Sequence, residues 1–456
     1  MSCHTRLACL ALLTITLGFF TGFLHSPEPA RAQTVIPTTS TAPTIIPGGV
    51  YLDPDGMIHH RAAAPQDIAI LRARANAALH QSAQPTPGKL GYISLPRALA
   101  AANAARENHQ PISEDLRNLG GLTQLQYIFL FPDDHDLVIA GPMEPLAPNS
   151  ASPLEPVGAV SGRPALQLDD FIAAWRATAR LRGGSFIGCS IDPVGNALAK
   201  AKPVFDANPR ASDADLARLV AAAVGPQQVS VFGVPRDTRL ALVLVSADLK
   251  MKRFSMGLES SPIAQFPSAV GNSRTAVNRF WFDSMYDPLL VSAAGDSYAL
   301  RGQRLGLKCG AASFDERGAT DEAKAFTAAF TKNIPALAAT IPVFADLQNV
   351  SDLTLLASLI RRDTLDRKIG WDLASAASAY DLPATPAPKT VETQAGMTAG
   401  SIVAGGVAFH FAATLAPDNR VAEAADPPAA PSSVPASTLT SLRQRPKDSW
   451  FSAPTK

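Results

Sequence analysis

Cys189 lies in Gly188-Cys189-Ser190-Ile191-Asp192-Pro193, a short apolar run that ends in a turn. A cysteine near a strand end, just ahead of a turn, stands where α/β enzymes often carry a nucleophile. A thiolate of that kind needs a histidine beside it, and none is close in sequence. His59, His60, His80, His109, His135 and His410 are the ones that folding would have to bring up. The plainer reading is a buried, small apolar side chain or one half of a disulfide. Asp169, Asp170 and Asp192 are the carboxylates nearest the expected strand ends, where a hydrolytic acid/base pair would sit. Capping a helix accounts equally for Asp169, and turn chemistry for Asp192. The catalytic candidates are therefore Cys189, Asp169 and Asp192.

Asp133-Asp134-His135-Asp136 gathers metal-ligand types in one loop, and His59-His60 offers two imidazoles. Neighbouring residues on a strand point to opposite faces, so His59 and His60 do not chelate together, and Asp is an ordinary turn residue. No metal site and no cofactor are expected. Lys250-Met251-Lys252-Arg253 falls near a helix end, where compensation of the helix dipole and solvation explain it better than a phosphate or nucleic-acid site. The sequence has no Gly-x-Gly-x-x-Gly, no phosphate loop, no Gly-x-Ser-x-Gly and no His-Glu-x-x-His. Nucleotide, serine-esterase and zinc-protease readings thus lack support.

The elements that must position these residues come from a chain of 456 residues, 46% hydrophobic and only 17% charged. That is enough apolar material for a real core, and wholesale disorder is excluded. The net charge of +1 is a poor match for nucleic acid or an anionic membrane surface. Residues 1–32 read as a signal peptide. His4 and Arg6 precede an apolar run from Leu7 to Leu24, and Ala30-Arg31-Ala32 offers a small-residue cleavage site. The expectation is export to a periplasmic or extracellular space, with no membrane span after cleavage. Only Cys189 and Cys309 would remain, so the fold must rest on its core rather than on a disulfide framework.

The Thr- and Pro-rich stretch 33–47 reads as a linker. In 48–160, an N-terminal α+β region, Gly49–Leu52 and Met57–His60 flank Asp53-Pro54-Asp55-Gly56 as a hairpin would. A helix is expected at 66–80, a strand at Leu90–Leu95 and an Ala-rich helix from Pro96. Leu125–Phe131 and Leu137–Ala140 form the clearest strand pair. The central α+β region, 161–382, starts with a short strand at Ala165–Leu168 and a helix capped by Asp169. Strands at Ser185–Ile191 and Val229–Val234 follow, with helices from Ser212 or Asp213 and from Thr238. Four short strands come next, and a helical block at 320–362 closes with Arg361-Arg362. A linker at 383–396 leads to a late strand segment at 397–411, and 412–456 is expected to be a disordered tail. The fold class is α+β, with mixed sheets, packed helices and disordered Pro-rich termini.

Six motifs follow one another along the chain. They are Gly48-Gly49-Val50-Tyr51-Leu52-Asp53-Pro54-Asp55-Gly56, Leu137-Val138-Ile139-Ala140-Gly141-Pro142, Gly162-Arg163-Pro164-Ala165-Leu166-Gln167-Leu168-Asp169-Asp170, the run around Cys189, Phe232-Gly233-Val234-Pro235, and Ala247-Asp248-Leu249-Lys250-Met251-Lys252-Arg253. Together they resemble the exported planctomycete proteins catalogued as domain of unknown function 1598, over roughly residues 48–410. The resemblance implies export and a shared fold, and it brings no activity, cofactor or catalytic residue. The leading expectation is a non-enzymatic envelope or extracellular module that binds a partner protein or a wall polymer. The alternatives are an exported hydrolase or thiol-dependent enzyme using Cys189, and a structural subunit of a surface assembly. Oligomeric state is not legible.

Overall fold

The structure is a computed structural model. It describes residues 49–52, 58–61, 90–147, 156–180, 186–195, 197–270, 278–311, 319–395, 403–409, 436–447 and 449–454. The expected linker at 33–47 and the helix at 66–80 lie outside the described residues. Residues 44–456 make one unit.

In chain order the principal elements begin with β1 (Gly49–Leu52), β2 (Ile58–Arg61), β3 (Leu90–Ser94), α1 (Leu95–Glu107), β4 (Tyr127–Phe131) and β5 (Asp136–Pro142). They continue with α2 (Leu168–Thr178), β6 (Ile187–Pro193), α3 (Asp213–Val224), β7 (Gln227–Phe232), α4 (Arg239–Ser255) and β8 (Asn278–Ser284). Then come β9 (Leu290–Val291), β10 (Ser297–Ala299), β11 (Leu305–Ala311), α5 (Asp321–Thr340) and α6 (Pro342–Asp363). The last are α7 (Leu373–Ala379), β12 (Thr390–Val391), β13 (Val403–Phe409), α8 (Ala436–Leu442) and β14 (Phe451–Ser452). β1 and β2 pair antiparallel, Tyr51 opposite His59 and Val50 opposite His60.

Two six-stranded sheets carry the α+β fold. The first runs β11-β8-β13-β6-β7-β12, and the second β9-β10-β4-β5-β3-β14. All pairings in both are antiparallel except β8 with β13. The late strand expected at 397–411 is thus β13, in the middle of the first sheet. Glycines on β13 and on the neighbouring β6 permit close approach, since a Cβ on Gly406 would run into the Cys189 carbonyl and one on Gly188 into that of Val407. Within 383–396, Thr390–Val391 pairs with Gln228 and Gln227 as an edge strand.

The period-2 alternation of β4 sorts its side chains as the sequence implies. Ile128 and Leu130 enter the main core, while Tyr127 and Phe129 join a second cluster with Leu90, Tyr92, Val138 and Ala140 on the opposite face. Two expectations fail locally. No strand forms at Ala165–Leu168, where α2 already begins at Leu168. The tail was expected to lack structure, yet Leu439 of α8 is fully buried in the second cluster and β14 extends the second sheet.

The helical block is α5 and α6. Thr320 caps α5 by accepting from the Ala323 N–H at 3.2 Å, and Pro342 opens α6, where its missing N–H costs nothing. Among the described residues α6 is the one helix long and apolar enough to cross a membrane, but 89% of that stretch is buried inside the fold. Unusually for so apolar a helix, it buries Asp346, Gln348, Asn349, Ser351, Asp352 and Thr354. Each needs a partner in a low-dielectric interior.

Candidate functional site

Cys189, Asp169 and Asp192 do not converge. Cys189 stands on β6 between Val407 of β13 and Val231 of β7, and only 3% of it is exposed. Burial, with Asp248 adding to it, pushes its thiol well up, opposite to what a nucleophile requires. Both Cys189 and Cys309 are free thiols. Cys309 is on β11, three strands from β6 in the sheet order. At about 4.8 Å per strand that is roughly 14 Å, twice the reach of a disulfide. Native protein at pH 8 should therefore leave Cys189 unmodified by iodoacetamide while Cys309, which is partly exposed, reacts. Peptide mapping after a short exposure checks this, and fast labelling of Cys189 would overturn it.

Asp192 and Cys189 point to opposite faces of β6, being an odd number of residues apart. Asp192 is partly exposed and pairs with Arg279 of β8 at 2.9 Å, across residue 404 of β13. Asp169 is not a cap. Gln167 precedes α2 without a side-chain cap, and Asp169 is buried in the first turn. It accepts from the Tyr380 hydroxyl and lies 3.8 Å from Arg117. Burial raises its carboxyl, and it likewise raises the Tyr380 phenol, which the neighbouring Asp169 charge pushes further.

The other sequence candidates also have partners of their own. In the β4–β5 turn His135 adopts a left-handed conformation, with Nδ1 2.8 Å from the Ile369 carbonyl. Asp136 accepts from Ser94 Oγ at 2.6 Å and from Arg97, and Asp134 pairs with Arg445 at 2.9 Å. Among the described residues no three His, Cys, Asp or Glu side chains gather as a metal would need. Contrary to expectation, the basic run 250–253 is not a solvated face. Lys250 and Lys252 are buried, Lys250 against Glu259 and Lys252 against Asp248 at 3.0 Å. Arg253 takes Glu259 at 3.4 Å and Gln394 at 2.6 Å.

Ion pairs of this kind tie the interior together. Arg239, at the start of α4, reaches Asp170 of α2 and, at 2.7 Å, Asp346 of α6. Arg304 meets Asp352 of α6 at 3.0 Å, and the Tyr286 hydroxyl donates to the same carboxylate at 2.5 Å. Arg163 donates to Gln348 at 2.9 Å; burial lowers its guanidinium to about 10, so it still carries its charge. The carboxylates Asp170, Asp346 and Asp352 are shut away from solvent, and their pairs position helices.

Among the described residues an accessible concavity lies where the C-terminal turns of α2 and α6 meet α7. It is an open hollow of about 640 Å³ lined by Trp175, Arg176, Arg180, Arg361, Tyr380 and Asp381, with Ala179, Ala377 and Leu382 between them. Trp175 is inward on α2 beside Phe171 and Ile172, and Arg361 comes from the last turn of α6, where a cation suits the dipole. The Arg361 guanidinium lies 3.9 Å from the Trp175 ring centroid, with Nε 3.3 Å from Thr178 Oγ1 and Nη2 3.1 Å from the Trp175 carbonyl. Arg176 donates to the carbonyls of Ala377 (2.7 Å) and Tyr380 (2.5 Å). Both guanidiniums are thus pinned by neutral oxygens, with the Asp366 carboxylate acting on Arg361 and Asp381 lining the same hollow. Arg180 is exposed at the rim. Sequence reading missed this place because Arg176 and Tyr380 are 204 residues apart, and Arg361 reads equally well as dipole compensation.

The fold and hollow define an α+β module with two six-stranded sheets, an ion-paired helical interior and an arginine-rich surface depression. Residues 189–268, which run from β6 through α4, match the family model for a protein of unknown function, DUF1598. No curated protein matches the chain. No solved structure matches it either.

Proposed function

We propose that the chain is an exported, non-enzymatic module of the envelope or extracellular space that binds an acidic wall polymer at the hollow between α2, α6 and α7. The observation that carries this reading is the pair of oriented arginines, Arg176 and Arg361, set beside Trp175 and held by carbonyls rather than by carboxylates. A planar guanidinium donates to a carboxylate, and two of them converging on an open hollow, with exposed Arg180 at its rim, favour a polyanion. An open depression suits a stretch of polymer passing through better than an enclosed small molecule. The leader-like residues 1–32 and the low net charge support an exported module without general affinity for anions.

The test is binding of polygalacturonate, with neutral dextran as control, followed by calorimetry at 20 and 150 mM salt. Polygalacturonate should bind, more weakly at the higher salt as screening shortens the reach of the arginines. Arg180→Glu, at an exposed position, and Arg361→Glu should each weaken binding at least tenfold with unchanged circular dichroism. Equal binding of dextran, or no effect of either substitution, rejects the hollow as the site.

A further inference from the structure

Residues 443–447 and 449–452 lie along the outer edge of the second sheet, gripped through their backbone by β3 and Arg97, and through side chains at Arg443, Arg445, Trp450 and Phe451. β14 pairs antiparallel with β3, Phe451 opposite Ile93 and Ser452 opposite Tyr92, and the Ser94 N–H donates to the Trp450 carbonyl at 2.8 Å. Arg97, in the first turn of α1, works as a clamp. Its Nη2 donates to the Pro446 carbonyl at 2.7 Å, and its Nη1 to those of Ser449 at 2.8 Å and Lys447 at 3.3 Å. Asp136 holds the clamp at 2.7 Å and is itself fixed by Ser94. The Tyr92 hydroxyl donates to the Leu442 carbonyl at 3.1 Å, Arg443 stacks 4.2 Å over Phe131, and Leu439 fills the cluster under Tyr92 and Phe129.

An edge strand is a template for any extended chain, and here the template comes with side chains aimed at a visiting backbone. The intervening stretch 410–435 is rich in Pro and Ala and, at about 3.3 Å per residue, could reach roughly 80 Å when extended. Nothing in the grip requires that the strand come from the same chain. We propose that the β3 edge with its Arg97 clamp is a strand-acceptor groove, and that residues 436–452 are an exchangeable strand which a second copy of this chain supplies. Copies then join tail to edge. The interface is heterologous, so reciprocal exchange between two copies closes a dimer, and one-way exchange leaves an edge and a tail that continue as an open chain. The tail docked on its own edge competes through its high effective concentration, so linking rises with protein concentration. This surface is separate from the hollow and stands without it.

Two half-functional variants test the exchange. The donor is the full chain with Arg97→Ala, which keeps its tail and has a weakened groove. The acceptor lacks residues 436–456 and keeps its groove. An equimolar mixture should show a 1:1 complex by native mass spectrometry that neither variant forms alone. Absence of that complex, with both variants showing the full chain's circular dichroism, overturns the proposal. Should the acceptor fail to fold, the full chain carrying a protease site within 416–430 is cut after folding and mixed with a fluorescent peptide of residues 436–454. The peptide should replace the cut fragment, and in an Arg97→Ala background it should be held at least tenfold more weakly. Failure of the peptide to enter over days, or equal retention with and without Arg97, rejects the exchange.

Discussion

Arg239→Met is expected to lower the unfolding free energy by about 3–5 kcal/mol, the cost of taking one partner out of a buried ion pair. The Arg239 side chain is 12% exposed, and the carboxylates it joins are 1% exposed at Asp170 and 6% at Asp346. Those two aspartates sit on α2 and α6, so a single guanidinium at the head of α4 fixes three helices against one another. Methionine keeps much of the stem's packing and removes the charge that the two desolvated carboxylates share. The readout is the urea midpoint, with the slope unchanged if the native state keeps its compactness. The cause is separated from lost packing by the triple variant Arg239→Met with Asp170→Asn and Asp346→Asn. Amides of the same shape need no counter-charge, so this variant should recover most of the loss. A loss below about 1 kcal/mol for Arg239→Met, or no recovery in the triple variant, would show that the pair is not what holds these helices.

Much of the frame was legible because it follows from local rules. Thr320, Thr238 and Ser212 are caps in the structure because a hydroxyl before an apolar-periodic run satisfies the orphan N–H groups of a first turn. The β4–β5 pair was readable from its aromatic and β-branched run. What escaped depends on partners distant in sequence. Asp169 looks like a cap because it stands at a helix start, and only the fold reveals that Tyr380 takes it inward. Lys250 and Lys252 look solvated because lysine usually is, and only the packing of α4 under β6 shows that Asp248, Glu259 and the Ile191 carbonyl receive them. A better signal was present in α6. Two aspartates inside a helix of that apolarity demand buried cations, and Arg163, Arg239 and Arg304 are what the fold supplies. The hollow had no sequence signature, since its arginines, tryptophan and tyrosine come from two helix ends and a loop that meet only in space. The tail misled by composition, because Pro- and Ala-rich sequence reads as unstructured even where Leu439, Trp450 and Phe451 give it something to bury.

Phe330→Ala is expected to cost about 3–5 kcal/mol, by a mechanism that involves no charge. Phe330 is fully buried, and four rings surround it. Phe344 of α6 is 5.2 Å away between centroids, Phe282 of β8 is 5.6 Å, Phe326 one turn back on α5 is 5.7 Å, and Phe266 is 6.1 Å. Three of these contacts are edge-on, the arrangement that the ring quadrupole favours. Four rings belonging to a strand, two helices and a loop cannot all collapse into the space left by one, so the cavity persists and its lining loses dispersion contacts. Phe330→Leu keeps most of the volume and should cost less than about 1.5 kcal/mol, as volume-conserving swaps do. Phe232, 40% exposed and paired with Phe186 at 5.6 Å, supplies the contrast. Phe232→Ala removes the same atoms from a site that water already reaches, and should cost about 1 kcal/mol, little more than the aromatic pair itself. Denaturant midpoints for the three variants rank the effects. If Phe330→Ala and Phe232→Ala came out alike, the joint between the first sheet and the α5–α6 block would owe its strength to something other than these rings.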